Sequence, residues 1–309
     1  MGSFKASNIV YDLKHNRSLF LLMAPTAILI FIFSYLPMLG LVIAFKNYNY
    51  VDGILRSPWV GFDNFRYFFI SGKAFLVTWH TIFYNIMFFV AGNIVSLLLA
   101  IFIFETGKKR YKQIIQSIVF LPNLVSWVIA ASLVYNIFNF DYGILNACIK
   151  LLGGTSIDIY SNPKIWYLLL PLFKVWKTAG WGSILYFAAI SGIDQECYES
   201  AELDGANVFQ KVWNITLPML VPTMTILGLL ALGNIVYGDF DMFYQIIGRN
   251  GLLYDTTDII DTFVFRSLLA SQELGMVSAA GFYQSVIGFV TVFGVNSIIR
   301  RVHPENSLF

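Results

Sequence analysis

Residues 74–104 read AFLVTWHTIFYNIMFFVAGNIVSLLLAIFIF, and only the titratable His80 interrupts an otherwise uncharged run. A helix rising ~1.5 Å per residue needs ~20 residues to cross the hydrocarbon core of a bilayer. This stretch is longer than that, and five others match it. Residues 19–45, 114–140, 215–238 and 274–299 carry no charge, and 165–193 is equally apolar apart from Lys174 and Lys177. Lipid offers the backbone no hydrogen-bond partner, so each stretch must satisfy its own amides as a helix. The expected fold is therefore all-α and integral to the membrane, with six transmembrane helices.

Composition excludes the soluble alternatives. Of the 309 residues, 57% are hydrophobic, 17% aromatic and 12% charged. A soluble domain carries ~25% charged residues, and a globule with half that share would expose large apolar areas. The net charge of +2 is far from the basic balance of a nucleic-acid binder. Cys148 and Cys197 are too few for a disulfide framework. Residues 19–45 follow Lys14 and Arg17 but far exceed the ~7–15-residue apolar core of a signal peptide, so they read as a retained anchor.

Lysine and arginine placement orients the chain. Lys5, Lys14, Arg17, Lys211, Arg300 and Arg301 fall on one side, together with the dense group Lys108, Lys109, Arg110 and Lys112 in the short loop between spans 2 and 3. That side is expected to be cytoplasmic. Residues 1–18 and 303–309 are then cytoplasmic tails around a transmembrane domain, 19–302. The loops between spans 1 and 2, 3 and 4, and 5 and 6 face outward, with Tyr48, Tyr50, Trp59, Phe62 and Tyr67 as an interfacial aromatic belt. Cys148 and Cys197 then lie on opposite membrane faces.

Catalytic machinery is not evident. The glycine-rich phosphate cradle G-x-x-x-x-G-K-[ST] is missing. His15, His80 and His303 are scattered without metal-ligand spacing. His80, inside a span, reads as a helix–helix hydrogen-bonding group. The chain is expected to be no enzyme and to bind no cofactor itself.

The inward loop between spans 4 and 5 is the most informative segment. Asp194 suits an N-cap, Gln195–Leu203 favour a helix, and Gly205 suits the left-handed position that stops one. Asn207 can cap a second short helix through Trp213, and Pro218 biases Leu217 toward an extended conformation before the next span. A helix–glycine–helix elbow over 194–218 is expected, with a small-sided, acidic tip at Asp204-Gly205. This segment resembles the E-A-A-x3-G-x9-I-x-L-P loop of permease subunits of binding-protein-dependent ABC importers. It reads Glu199-Ser200-Ala201, three residues, Gly205, nine residues, then Ile215-Thr216-Leu217-Pro218, with Ser200 the one departure.

That resemblance implies that the elbow is a coupling helix seated in a cleft of an ATPase subunit. The likeness runs along most of the chain. Ser57-Pro-Trp-Val-Gly-Phe-Asp-Asn-Phe65 resembles the outer-loop G-x-x-N-F signature of carbohydrate permeases. Trp176-Lys177-Thr-Ala-Gly-Trp181, Phe240-Asp241 and the segment Asp255 to Arg266 are similar to the LplB-like branch of the maltose-permease class, which serves complex and acidic oligosaccharides. Membership implies a second permease subunit, two ATPase subunits carrying ATP and Mg, and an extracytoplasmic solute-binding lipoprotein. It also implies alternating access in a bacterial cell membrane.

Polar residues in lipid are costly and tend to face a cavity or another helix. Asn85 and Asn93 in span 2, Asn123 and Ser126 in span 3, and Gln284 and Asn296 in span 6 are such residues. The outer part of span 5 combines Gly233-Asn234, Tyr237, Asp239-Phe240-Asp241 and Tyr244, which supply the hydrogen bonds and ring faces that a sugar needs. Packing between helices would use the same groups equally well. Lys174 and Lys177 either snorkel, neutralise an acidic sugar, or pair with Asp239 or Asp241. A permease for another small solute, such as an osmolyte or amino acid, would share the elbow. A secondary transporter or channel is disfavoured by the elbow and by the lack of an internal repeat. A scaffold or receptor without transport is the remaining alternative.

Overall fold

The computed structural model describes residues 15–271 and 273–302. Among them the architecture is all-α, as expected, with one isolated antiparallel bridge between Lys46 and Trp59. The tail 303–309 and all but the last residues of 1–18 lie outside the described part.

The first helix, α1 (Arg17–Phe45), runs 29 residues. It passes from α-helical winding through a π turn at Phe31–Tyr35 into a tighter 3-10 stretch at Leu36–Phe45. Pro25 and Pro37 have no N–H for the i−4 carbonyl, and changes of winding accommodate such gaps. Ala44 is the one residue of α1 buried within the chain, while Leu21 is 73% exposed. Lipid or another membrane subunit has to cover such a surface. Asn64, at the start of α2 (Asp63–Ile70), donates to the carbonyls of Ala44 (2.9 Å) and Lys46 (2.9 Å) and ties down the end of α1.

After α3 (Lys73–Glu105), the expected third span is two helices, α4 (Lys109–Leu124) and α5 (Trp127–Phe138), bent by 93°. Pro122 removes a donor and Asn123 favours the helix weakly, so winding stops there. Val125 and Ser126 are extended, and the Ser126 hydroxyl restarts the helix by accepting from the Ile129 amide at 3.4 Å. The short α6 (Ile144–Leu151) precedes α7 (Trp166–Ser191), a continuous helix of 26 residues. Next come α8 (Gln195–Leu203), α9 (Val208–Gly233), α10 (Phe240–Ile247), α11 (Ile260–Ser271) and α12 (Leu274–Val302).

Two expected boundaries move. The short helix after Gly205 does not stop at Trp213 but merges with the fifth span through a π turn at Val212–Thr216. The Leu217 amide reaches back five residues to the Val212 carbonyl, and Leu217 keeps helical angles (φ −62, ψ −47) instead of extended ones. The widened turn lets Pro218 enter without breaking the helix. The span itself ends at Gly233, not 238, and residues 234–238 form a turn.

By length and apolarity, four helices among the described residues could cross a membrane, or five if the bent pair counts as one span. The expected fourth span, α7, falls outside that group because Lys174 and Lys177 lie in its middle.

The α3–α7 pair has the most extensive contact, and α4 lies against α7 as well. Gly180 and Gly182 permit this approach, because a Cβ there would collide with the Val119 carbonyl of α4 and with Ser96 of α3. The largest core cluster joins Tyr84 and Phe88 of α3, Val134 of α5, Trp166 and Leu170 of α7, and Met242 and Phe243 of α10. A separate cluster holds Ala100, Tyr186, Ile190 and Leu220 where α3, α7 and α9 meet.

Candidate functional site

Between α3, α7 and the end of α9 lies a cavity of about 380 Å³. Asn85, Phe88 and Phe89 line it from α3, Lys174 from α7, and Asn234, Ile235 and Asp239 from the chain that leaves α9. Ending a helix here leaves backbone groups that must find partners within the protein. Long-range side chains supply them. Asn85 Nδ2 donates to the carbonyls of Ile235 (3.0 Å) and Tyr237 (3.0 Å). Gln284 Nε2 of α12 donates to the Val236 carbonyl at 2.8 Å. The Gly238 amide donates to Asp261 Oδ2 of α11 at 2.8 Å. The turn is thus held from three helices.

Asp239 closes this segment with both carboxylate oxygens. Oδ1 accepts from the Met242 amide at 3.2 Å and caps α10. Oδ2 accepts from Lys174 Nζ at 2.6 Å. Within this chain Lys174 is therefore paired with Asp239. Lys177, a turn further along α7, donates instead to the Asn123 carbonyl at 3.0 Å.

The other residues expected on a substrate pathway are distributed differently. Asn93 lines a neighbouring cavity of about 280 Å³ with Ser96, Thr178, Trp181 and Tyr186, and its Oδ1 accepts from the Tyr186 hydroxyl at 2.6 Å. The two cavities share Phe88 and Phe89 and so adjoin along α3. Gln284 is buried in its bond to Val236, and Tyr237 contributes its carbonyl to Asn85 while its ring stays half exposed. Asn123 contributes its carbonyl to Lys177. Tyr244 stacks on Phe240 of α10 at 5.3 Å and lines a third cavity with Phe265 and Arg266. Phe88 and Phe89, which line the first cavity, look like ordinary span residues in the sequence, and Asp261 has no local sign there of its partner at Gly238.

A second site is the segment joining α7 to α9. Asp194 Oδ1 accepts from the Glu196 amide at 3.0 Å and caps α8. At the other end the Ala206 amide reaches the Ala201 carbonyl (2.9 Å) and the Gly205 amide reaches Glu202 (3.0 Å), with Gly205 at φ 79. These bonds form a Schellman stop, which needs a left-handed residue at that position. Asn207 and Gln210 then form a reciprocal capping box at 2.8 and 2.9 Å. Lys211 Nζ bonds Glu202 Oε1 at 2.6 Å across the two arms, and the Tyr198 hydroxyl meets Thr216 Oγ1 at 3.0 Å. Glu199, Ser200, Asp204, Gly205 and Pro218 are exposed, while Ala201, Ile215 and Leu217 are half-buried. Leu203 is 90% and Phe209 87% exposed at the tip.

Residues 92–304 match the family described as the inner membrane component of binding-protein-dependent transport systems. The chain belongs to that family. The permease is 34% identical to the protein LplB of Bacillus subtilis strain 168, over 95% of this chain and 92% of that one. It is 30% identical to the polygalacturonan/rhamnogalacturonan transport system permease protein YteP of the same organism, over 97% and 93%. Among solved structures it is similar to a chain of a bacterial ABC transporter involved in import of the acidic polysaccharide alginate. That likeness has a TM-score of 0.85 and 32% identity, and it covers 96% of the permease and 99% of the other chain. A second structure of an alginate transporter, in complex with a periplasmic protein bound to alginate pentasaccharide, gives a TM-score of 0.84 at 32% identity. The permease is thus a transport subunit with several membrane spans.

Proposed function

We propose that this permease is one transmembrane half of an ATP-driven importer that moves an oligosaccharide by alternating access. The observation that carries the reading is the cavity at the end of α9. It sets the faces of Phe88 and Phe89 beside the polar groups of Asn85, Asn234, Asp239 and Lys174. A pyranose ring presents an apolar face and a rim of hydroxyls, and such a lining matches both. The oligosaccharide systems among the similar proteins support the same substrate class.

The partners follow from the family and from the exposed elbow. Leu203 and Phe209 stand uncovered by this chain, on a tip fixed by the Schellman stop and the capping box. In this reading Glu199, Ser200, Ala201, Asp204, Gly205, Ile215, Leu217 and Pro218 form the coupling segment, seated in a separate ATPase that binds ATP and Mg. A second, related permease subunit completes the pathway, and an extracytoplasmic binding lipoprotein delivers the sugar. The chain makes six spans, with both termini and the elbow in the cytoplasm. Asn85, Asn93, Asn123, Asn234, Tyr237, Asp239, Tyr244 and Gln284 are the pathway candidates, with Asn85, Asn234 and Asp239 facing one cavity.

The test is reconstitution in proteoliposomes after co-purification. A second six-span subunit and an ATPase should come down with this chain. Binding protein loaded with an oligosaccharide should stimulate ATP hydrolysis. Stimulation by an amino acid or osmolyte, and by no oligosaccharide, would sink the substrate assignment.

A further inference from the structure

Lys174 and Asp239 are the charged residues lining the cavity at the end of α9, and their side chains keep 25% and 19% of their surface open. Lys177 stands a turn away on the same helix and is 8% exposed. Its Nζ lies 5.4 Å from the Trp127 ring centre, and Lys174 Nζ lies 5.9 Å from the same ring. Among the described residues, Lys177 has no carboxylate within ion-pair distance. Asp261 approaches the same turn from α11, but the Gly238 amide and Gln284 engage it and it pairs with neither lysine. Lys177 donates to the Asn123 carbonyl, so of these two neighbouring lysines only Lys174 has a carboxylate partner. Positive charge is costly in a membrane interior, and an entering anion would offset it.

Each partner of the pair has contacts besides the other. Lys174 has three N–H donors and directs one at Asp239. Phe88, at 5.8 Å, and Trp127 hold the ammonium at the cavity wall. Asp239 has an anchor independent of Lys174 in its cap on α10.

We infer that Lys174 selects for a sugar bearing a carboxylate, and that the substrate's carboxylate exchanges with Asp239 on Lys174 as it passes. The inference rests on the oligosaccharide reading above and narrows it to uronate-type sugars.

Exchange makes predictions of opposite sign for the two partners. Binding of trigalacturonate and of its fully methyl-esterified form is measured on the complete, detergent-solubilised importer without binding protein, so that only the membrane site selects. Wild type should prefer the acid. Asp239→Asn removes the competitor and should tighten acid binding about fivefold, while Lys174→Gln should weaken it by a similar factor. Either substitution should change binding of the ester by a smaller factor than binding of the acid, and Lys174→Arg should keep the preference for the acid. A wild type that binds both forms equally overturns the inference, as does weakening of the acid by both variants, which is the behaviour of a purely structural ion pair. Binding of neither form, with transport of an oligosaccharide intact, overturns the inference and leaves the importer reading standing. Absence of transport with every oligosaccharide overturns both.

Discussion

Replacing Gly205 tests the elbow most directly. Its φ of 79 places it where a Cβ is disfavoured, and two bonds of the Schellman stop, Ala206 to Ala201 and Gly205 to Glu202, depend on that angle. A Cβ built on Gly205 meets nothing within 4 Å in this chain. The intrinsic cost of Gly205→Ala is then backbone strain alone, about 1–2 kcal/mol, with Gly205→Asn cheaper and Gly205→Val dearer. A penalty of about 1–2 kcal/mol shifts a local equilibrium by a factor of ~5–30, enough to leave the tip misformed in a large share of molecules. Stimulation of ATP hydrolysis by loaded binding protein, in the reconstituted complex, should fall in the order Gly, Asn, Ala, Val. Because the position is sterically open here, a loss for Ala well beyond what strain supplies would measure contact with the partner's groove. Normal stimulation in Gly205→Val would refute the reasoning, since a signal that passes through a disordered tip does not depend on its shape.

Three further tests address other parts of the chain. Cys148 and Cys197 are both free and exposed, so single-cysteine variants report the orientation: a membrane-impermeant thiol reagent on intact cells should label Cys148 and spare Cys197, and the reverse pattern would invert the topology. Asn85→Leu removes the donor to the carbonyls of Ile235 and Tyr237, at about 1–3 kcal/mol for the part-buried Ile235 carbonyl and less for the exposed Tyr237 one; the thermal midpoint of the detergent-solubilised complex should drop, and an unchanged midpoint would mean that the turn finds other donors. Gly180→Val drives a side chain into the Val119 backbone of α4, an overpacking cost of about 1–3 kcal/mol or more, so membrane levels of the assembled protein should fall, and normal accumulation would show that α4 can move away.

The elements that could be read from the residues alone are those held by local bonds. Apolar runs such as 74–104 had to be helices because lipid leaves the backbone no other partner. The helix stops around Gly205 are legible because each is made within a few residues: Asp194 on Glu196, Ala206 on Ala201, Asn207 on Gln210. The same locality makes Gly205 recognisable as the turning point. Where the fold departs from the local pattern, the deciding partner is distant. The uncharged run continues to 238, and nothing nearby shows that Asn85 reaches Ile235 across 150 positions, or Gln284 reaches Val236 across 48. Those donors satisfy a broken helix that would otherwise be prohibitive in lipid, so only the packed structure could place the break at Gly233. Pro122 lies where the third span breaks, but a proline fixes where a helix can bend and not by how much; the 93° turn depends on where α4 and α5 find packing surfaces, α4 on α7 and α5 on α10. Lys174 is the sharpest case. Its charge is plain in the sequence, but its partner within the chain, Asp239, lies 65 positions away, and finding that partner required the fold that brings α7 against the start of α10.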